Sequence, residues 1–231
     1  MNETESTTLF VTGTDTGCGK TTVTALLARW LAARDVRVAC FKPIASGCER
    51  RDGRLVNADA VELMAAMNVE LAYDRVNPVA LEAPIAPHIA AEKASIVVDL
   101  DRICSEIAAT AADVRLVEGI GGWLVPLEAD RLLPELPHRL QCPVILVVGM
   151  RLGCLNHALL TARAIAGDGF RLVGWIANYL DDDFDEPAAH EATLDRMLPA
   201  PRLARVHRRG DDAALEAGAG LPAALRPGRA E

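Results

Sequence analysis

Leu9-Phe10-Val11-Thr12-Gly13-Thr14-Asp15-Thr16-Gly17-Cys18-Gly19-Lys20-Thr21-Thr22 is the stretch that decides how this chain folds. Leu9 to Gly13 is a short apolar run that ends in glycine, the signature of a buried strand. From Lys20 to Arg34 the apolar residues Val23, Leu26, Leu27, Trp30 and Leu31 recur at helical spacing. A strand, a glycine-rich turn and a helix opening on Gly-Lys-Thr form the context of a phosphate-binding P-loop. The common form of that loop has four residues between its first glycine and Gly-Lys-Ser/Thr. Here Thr14 to Cys18 make it five.

The residue types fit the chemistry. Gly17 and Gly19 let the backbone aim its N–H groups at a phosphate chain, and the helix N-terminus adds the positive end of its dipole. Lys20 is placed to reach β- and γ-phosphate oxygens, and the Thr21 hydroxyl to ligate Mg²⁺. A glycine-rich turn that binds nothing is the plainer alternative. It would not need the charge of Lys20 or the hydroxyls of Thr21 and Thr22.

Outward from the loop, short apolar runs alternate with helical patterns. Val36–Phe41, Val114–Val117, Pro143–Val148 and Leu172–Ala177 read as strands. Asn57–Met67, Leu100–Ala112 and Cys154–Ala166 read as helices. The strands are near-continuous apolar runs, so both faces of the sheet are expected to be covered. The fold class implied is a three-layer α/β fold of the P-loop NTPase type, with a mainly parallel sheet between helices. Ala72 to Pro87 carries three prolines and reads as an irregular excursion. Residues 1–231 are expected to form one domain. From Arg208 to Glu231 the Ala-, Gly-, Pro- and Arg-rich composition reads as a solvated, flexible tail.

Two further strand ends carry chemistry. Glu118 closes Val-Arg-Leu-Val-Glu and precedes Gly119, Gly121 and Gly122. Ligands of open α/β sheets bind outside the carboxyl ends of strands, so Gly13 and Glu118 are expected to face one crevice. A solvated strand-end carboxylate is the alternative for Glu118; beside a P-loop, a metal ligand is favoured. Asp59, near the start of a helix, reads equally as a helix-start residue or a metal ligand. The run Lys42-Pro43-Ile44-Ala45-Ser46-Gly47 follows another strand and brings a second ammonium group. Two lysines at one crevice suit phosphoryl transfer, which rests on positioning and charge stabilisation.

Bulk properties narrow the class. The 231 residues are 51% hydrophobic and carry a net charge of −8, which speaks against a broad nucleic-acid surface. Cys18, Cys40, Cys48, Cys104, Cys142 and Cys154 form no C-x-x-C pair, so a zinc site is not expected, and at least four of the six are expected to be buried free thiols, as in a reducing compartment. No apolar run reaches the ~18 residues of a membrane span. The N-terminus shows no secretory pattern. The expected location is the cytoplasm, with neither membrane nor nucleic acid as partner.

The segments GTDTGCGKTT, KPIASG, NADA, VEGIGGW, GMRLGCLNHALLT and GWIAN occur together and in order. Over residues 8–207 the chain resembles the dethiobiotin synthetase family, whose P-loop has the same five-residue spacing. The resemblance implies an ATP- and Mg²⁺-dependent ligase of biotin biosynthesis that acts on 7,8-diaminononanoate and CO₂, as a homodimer with its site at the interface. It implies Lys42 and Lys20 as catalytic residues. It implies a nucleotide site of Gly13, Thr16, Gly17, Cys18, Gly19, Lys20, Thr21, Thr22, Asp59, Glu118, Gly119, Gly121, Asn178, Val206 and His207. Thr21, Asp59 and Glu118 would hold the metal. Ser46, Lys42, Gly153, Cys154, Leu155 and Asn156 would hold the substrate, with its carboxylate at a helix start. Arg151 stands where the family more often has lysine. Ala204-Arg205-Val206-His207-Arg208 departs from the family's usual Gly-Glu-Ile-Pro-Trp beside the base. His88 receives no role. A P-loop switch ATPase of the partitioning type would carry an extra lysine early in the loop, and Gly13 to Thr16 has none.

Overall fold

The computed structural model describes residues 6–180, 184–209 and 212–225. The P-loop strand β1 (Thr7–Gly13) leads into α1 (Lys20–Ala32) and β2 (Val38–Phe41). A run of short elements follows: β3 (Ile44–Ala45), β4 (Glu49–Arg51), β5 (Arg54–Val56), α2 (Ala58–Ala66), α3 (Tyr73–Val76), β6 (Val79–Ala80) and α4 (Pro87–Ala94). Next come α5 (Leu100–Ala108), β7 (Val114–Glu118), α6 (Glu135–Leu140), β8 (Val144–Met150), α7 (Cys154–Gly167) and β9 (Leu172–Tyr179). The described chain ends in α8 (Pro187–Met197), β10 (Arg202–Arg209), β11 (Asp212–Ala217) and α9 (Leu221–Ala224).

One seven-stranded sheet runs β11-β10-β9-β8-β1-β7-β2. Every neighbouring pair is parallel except β10 and β11. Strand side chains alternate between two cores, as a period of two demands. Leu9, Val11, Val38, Cys40, Leu116, Ile145 and Val147 face Val23, Leu27 and Leu31 of α1. On the other face Phe10, Phe41 and Val117 pack with Leu100, Ile103 and Ile107 of α5, while Val148, Met150 and Trp175 pack with α7 and α8. The sheet is therefore the middle of three layers. All six cysteines are buried and free.

One expectation gains detail and another needs correction. The segment from Ala72 to Pro87, read as an irregular excursion, holds two short elements, α3 and β6, and β6 pairs with β3 beyond Lys42. The stretch from Arg208 is not simply a solvated tail. β10 continues through Arg209, β11 pairs with it antiparallel, and Leu221 and Leu225 are buried in the α1 core. The final part of the expected tail, 226–231, lies outside the described residues. β10 was hidden by its arginines. The charge of Arg202 and Arg205 is matched in the structure: Glu191 pairs with both, while Asp195 and Glu216 add one further partner each.

Candidate active site

The P-loop leaves the centre of the sheet, where β1 lies between β7 and β8. Thr14 N–H donates to Val147 O at 3.0 Å, which ties the start of the loop to β8. Gly17 and Gly19 have φ of 74° and 84°, the left-handed region that glycine enters without strain. At Gly19 a second constraint applies, since a Cβ there would lie 1.9 Å from Asn178 Nδ2. Asn178, at the end of β9, donates from that nitrogen to Cys18 O at 2.8 Å, and its Oδ1 is buried without a partner. The Cys18 side chain turns inward and is buried against Gly13. Only the main chain of Cys18 therefore faces the loop's concave side.

Four strand and helix ends converge next to this loop. Lys20, on the first turn of α1, is buried and donates to Asp15 O at 3.0 Å and to Gly121 O at 2.6 Å. Lys42, just past β2, is buried and reaches Glu118 Oε1 at 2.5 Å, Asp59 Oδ2 at 2.9 Å and Gly119 O at 3.3 Å. Thr21 donates its hydroxyl to the same Glu118 Oε1 at 2.8 Å. Glu118 is 1% exposed, and its Oε2 is buried with no hydrogen-bond partner. Thr21, Lys42, Asp59, Glu118 and Gly119 are thus one bonded cluster, and Lys20 lies beside it, bonded to Asp15 and Gly121. The alternative of a solvated strand-end carboxylate at Glu118 fails on its burial.

Asp59 sits in the first turn of α2, where Asn57 caps the helix by accepting from Ala60 N–H at 3.2 Å. The sequence left Asp59 between a helix-start role and a cluster role; Asn57 takes the cap, and Asp59 turns to Lys42.

The electrostatics follow from burial and pairing. Burial lowers the Lys20 pKa, and the nearby Lys42 adds to that. Burial works in the same direction on Lys42, but Glu118 and Asp59 overcome it and keep its ammonium above the usual lysine range. Burial disfavours the ionised form of Asp59, yet the charge and hydrogen bond of Lys42, with help from Thr21, hold it below the ordinary carboxylate range.

Other expected residues stand farther out. Ser46 follows β3, and its Oγ is buried without a partner. Thr16 is exposed, and its N–H donates to Asp15 Oδ1 at 2.7 Å. Thr22 is half-buried in the first turn of α1. Gly153 (φ 94°) caps α7 beyond the carboxyl end of β8, with Cys154 buried, Leu155 half-buried and Asn156 exposed. The link from this helix start to the loop is the Arg151–Asp15 ion pair at 3.0 Å. Val206 pairs with Asn178 across β10 and β9, but its side chain is buried in the core, so only its main chain remains for a ligand. His207 stacks on Tyr179 with centroids 4.6 Å apart.

Sequence reasoning missed Asn77, Tyr73 and Asp15. Asn77 donates to Lys42 O at 2.7 Å, and Tyr73 bonds Asn77. Their only local signal was a polar residue inside a proline-rich stretch, which says nothing about a partner 35 residues away.

Comparison with known proteins agrees with the geometry. A family model described as an AAA domain matches residues 7–211. The ATP-dependent dethiobiotin synthetase BioD of Pseudomonas paraeruginosa is 48% identical over 205 residues, 87% of this chain and 90% of that protein. The ATP-dependent dethiobiotin synthetase BioD of Xanthomonas oryzae pv. oryzae is 44% identical over 214 residues, 92% of this chain and 96% of that protein. Among solved structures, chloroplast FtsY from Physcomitrella patens superposes with a TM-score of 0.52 at 19% identity, over 98% of this chain and 67% of that one, a likeness of fold alone. A strand-loop-helix phosphate cradle with two lysines and two carboxylates at its edge, in a chain so close to these relatives, belongs to the ATP-dependent dethiobiotin synthetase family.

Proposed function

We propose that this protein closes a cyclic urea on 7,8-diaminononanoate with CO₂ and ATP, giving dethiobiotin, ADP and phosphate. The observation that carries the reading is Glu118 Oε1, which accepts from both Thr21 and Lys42 and so joins the P-loop helix to a second strand end. One substrate amine adds to CO₂, forming a C–N bond and losing a proton to give a carbamate. A carbamate oxygen then attacks the γ-phosphorus, the bond to the β-bridging oxygen breaks, and ADP leaves. The second amine attacks the carbonyl carbon of this carbamic–phosphoric anhydride. The C–O bond to phosphate breaks, and phosphate and a proton depart. Holding both amines on one bound molecule makes the closure intramolecular, which lowers its barrier.

In this reading Lys20 and the main-chain N–H groups of Gly17 to Thr22 hold the triphosphate, with Gly13, Thr16, Gly119 and Gly121 around it. Lys42 stabilises charge on the carbamate and transferring phosphoryl oxygens. Ser46 brings a free hydroxyl to the diamine end. The helix start at Gly153, Cys154, Leu155 and Asn156 takes the substrate carboxylate. The free Oδ1 of Asn178 suits an adenine amino donor, with the His207 side chain and the Val206 main chain beside it.

Thr21, Asp59 and Glu118 fit a magnesium ion: all are oxygen donors, and one buried carboxylate oxygen lacks a partner. Water and phosphate oxygens would complete the shell of such an ion. Bound there, magnesium would neutralise charge on the phosphate oxygens.

A homodimer in the cytoplasm as a single-domain subunit completes the proposal. Leu152, 89% exposed, and Leu160, 55% exposed, lie at and along α7 and supply apolar surface for a partner copy. No described helix is long and apolar enough to cross a membrane. A monomer in sedimentation at assay concentration would remove the dimer.

The test is to incubate pure protein with the diamine, bicarbonate and each nucleoside triphosphate, and to look by mass for the cyclic urea. Phosphate release should require diamine and bicarbonate together. Steady release without either would point to a switch ATPase.

A further inference from the structure

We infer that Tyr73 is a positioning residue that sets Lys42 against Asp59 by joining the two elements that carry them. The inference rests on the proposed roles of Lys42 and Asp59. Those residues come from unrelated places: Lys42 follows β2, and Asp59 lies in the first turn of α2. Their ion pair at 2.9 Å therefore depends on something that fixes both backbones.

The short helix α3 and the residue after it do this for Lys42. Lys42 N–H donates to Val76 O at 2.9 Å, and Lys42 O accepts from Asn77 Nδ2 at 2.7 Å. Both main-chain groups of the lysine are thus held by two adjacent residues. On the other side, Asn57 is the cap of α2, two residues before Asp59. The Tyr73 hydroxyl stands between these anchors. It accepts from Asn57 N–H at 2.7 Å and donates to Asn77 Oδ1 at 2.9 Å. Donation to Oδ1 also decides which way the Asn77 amide faces, and so keeps its N–H₂ on Lys42 O. Asn57 and Asn77 are 7% and 2% exposed, so water is poorly placed to replace the hydroxyl. Removing it leaves a buried N–H and a buried amide oxygen unpaired.

Partners one step behind a metal or charge cluster typically change affinity or turnover by about 10–100-fold when removed. Tyr73→Phe keeps the ring and deletes only the hub. We expect kcat to fall about tenfold, with KM for ATP unchanged because the P-loop is untouched. Direct binding of Mn²⁺ in the presence of ATP, read by electron paramagnetic resonance of the free ion, should weaken about tenfold. Asn77→Ala breaks the same chain, so the double variant should be no worse than the weaker single one, a coupling that independent sites do not show. A plainly structural tyrosine would lower the melting temperature but leave Mn²⁺ affinity and kcat per folded molecule as in the parent; that result, or additive losses in the double variant, overturns the inference. If Tyr73→Phe does not fold, Asn77→Ala alone carries the same two outcomes. A parent protein that makes no cyclic urea would refute the proposed activity instead, and the Mn²⁺ comparison would still judge the role of Tyr73.

Discussion

Lys42 is a buried cation whose charge two carboxylates must keep, and this makes it both a mechanistic and a structural residue. Lys42→Ala should lower kcat by at least about 10²–10³-fold, the usual cost of losing a charge-stabilising donor at a reacting oxygen. Near-normal turnover would remove it from the mechanism. The same change strands Glu118, 1% exposed, without a cation, at a cost of about 3 kcal/mol. Adding Glu118→Gln should recover most of that stability in urea unfolding, but none of the activity. Asp59 gives a pH test. Its folded pKa is held below the unfolded value of about 3.9, so its pairing stabilises the protein at neutral pH. That contribution shrinks as pH falls through the folded pKa. The melting-temperature gap between the parent and Asp59→Asn should therefore be widest near pH 7 and close toward pH 3. A gap that stays constant across that range would deny the pairing.

At the level of elements, the two loop glycines make a graded pair. Both have left-handed φ, but a Cβ at Gly17 would point into open space, whereas at Gly19 it would strike the Asn178 amide. Gly17→Ala should cost only the backbone penalty of about 1–2 kcal/mol. Gly19→Ala should cost clearly more, and should weaken nucleotide binding by pushing Asn178 off Cys18. Equal stabilities by chemical denaturation would show that the Asn178 contact does not constrain the loop. These elements were legible to different degrees. β1, β7, β8 and β9 announced themselves because burial on both faces forces unbroken apolar runs. The site was legible wherever a charged residue closed such a run, as at Glu118 and Lys42. α3, β3 and β6 were not, because pieces of two to four residues carry no period to read. The tie from Asn77 to Lys42 exists only once β2 and α3 have met.

At the scale of the whole molecule, the antiparallel β10–β11 pair closes one side of the sheet, and α9 returns to the central core. Leu221 and Leu225 are 0% and 2% exposed there, and burying each contributes about 2 kcal/mol. Ending the chain after Arg209 should therefore lower stability by about 4 kcal/mol in urea, and should leave β10 as an open edge prone to self-association. Full stability and clean monodispersity in the shortened chain would mean that this segment merely decorates the surface. Composition misled here because β11 and α9 are short and rich in alanine, and the apolar side chains of Leu221 and Leu225 find their core only once the α1 layer is in place. The central place of β1 has one more consequence. Its loop hangs from a strand hydrogen-bonded along both margins and packed above and below, so it inherits the stiffness of the deepest part of the protein. The phosphate cradle is expected to lose its shape together with the scaffold, so loss of nucleotide binding and loss of the fold should share one midpoint in urea.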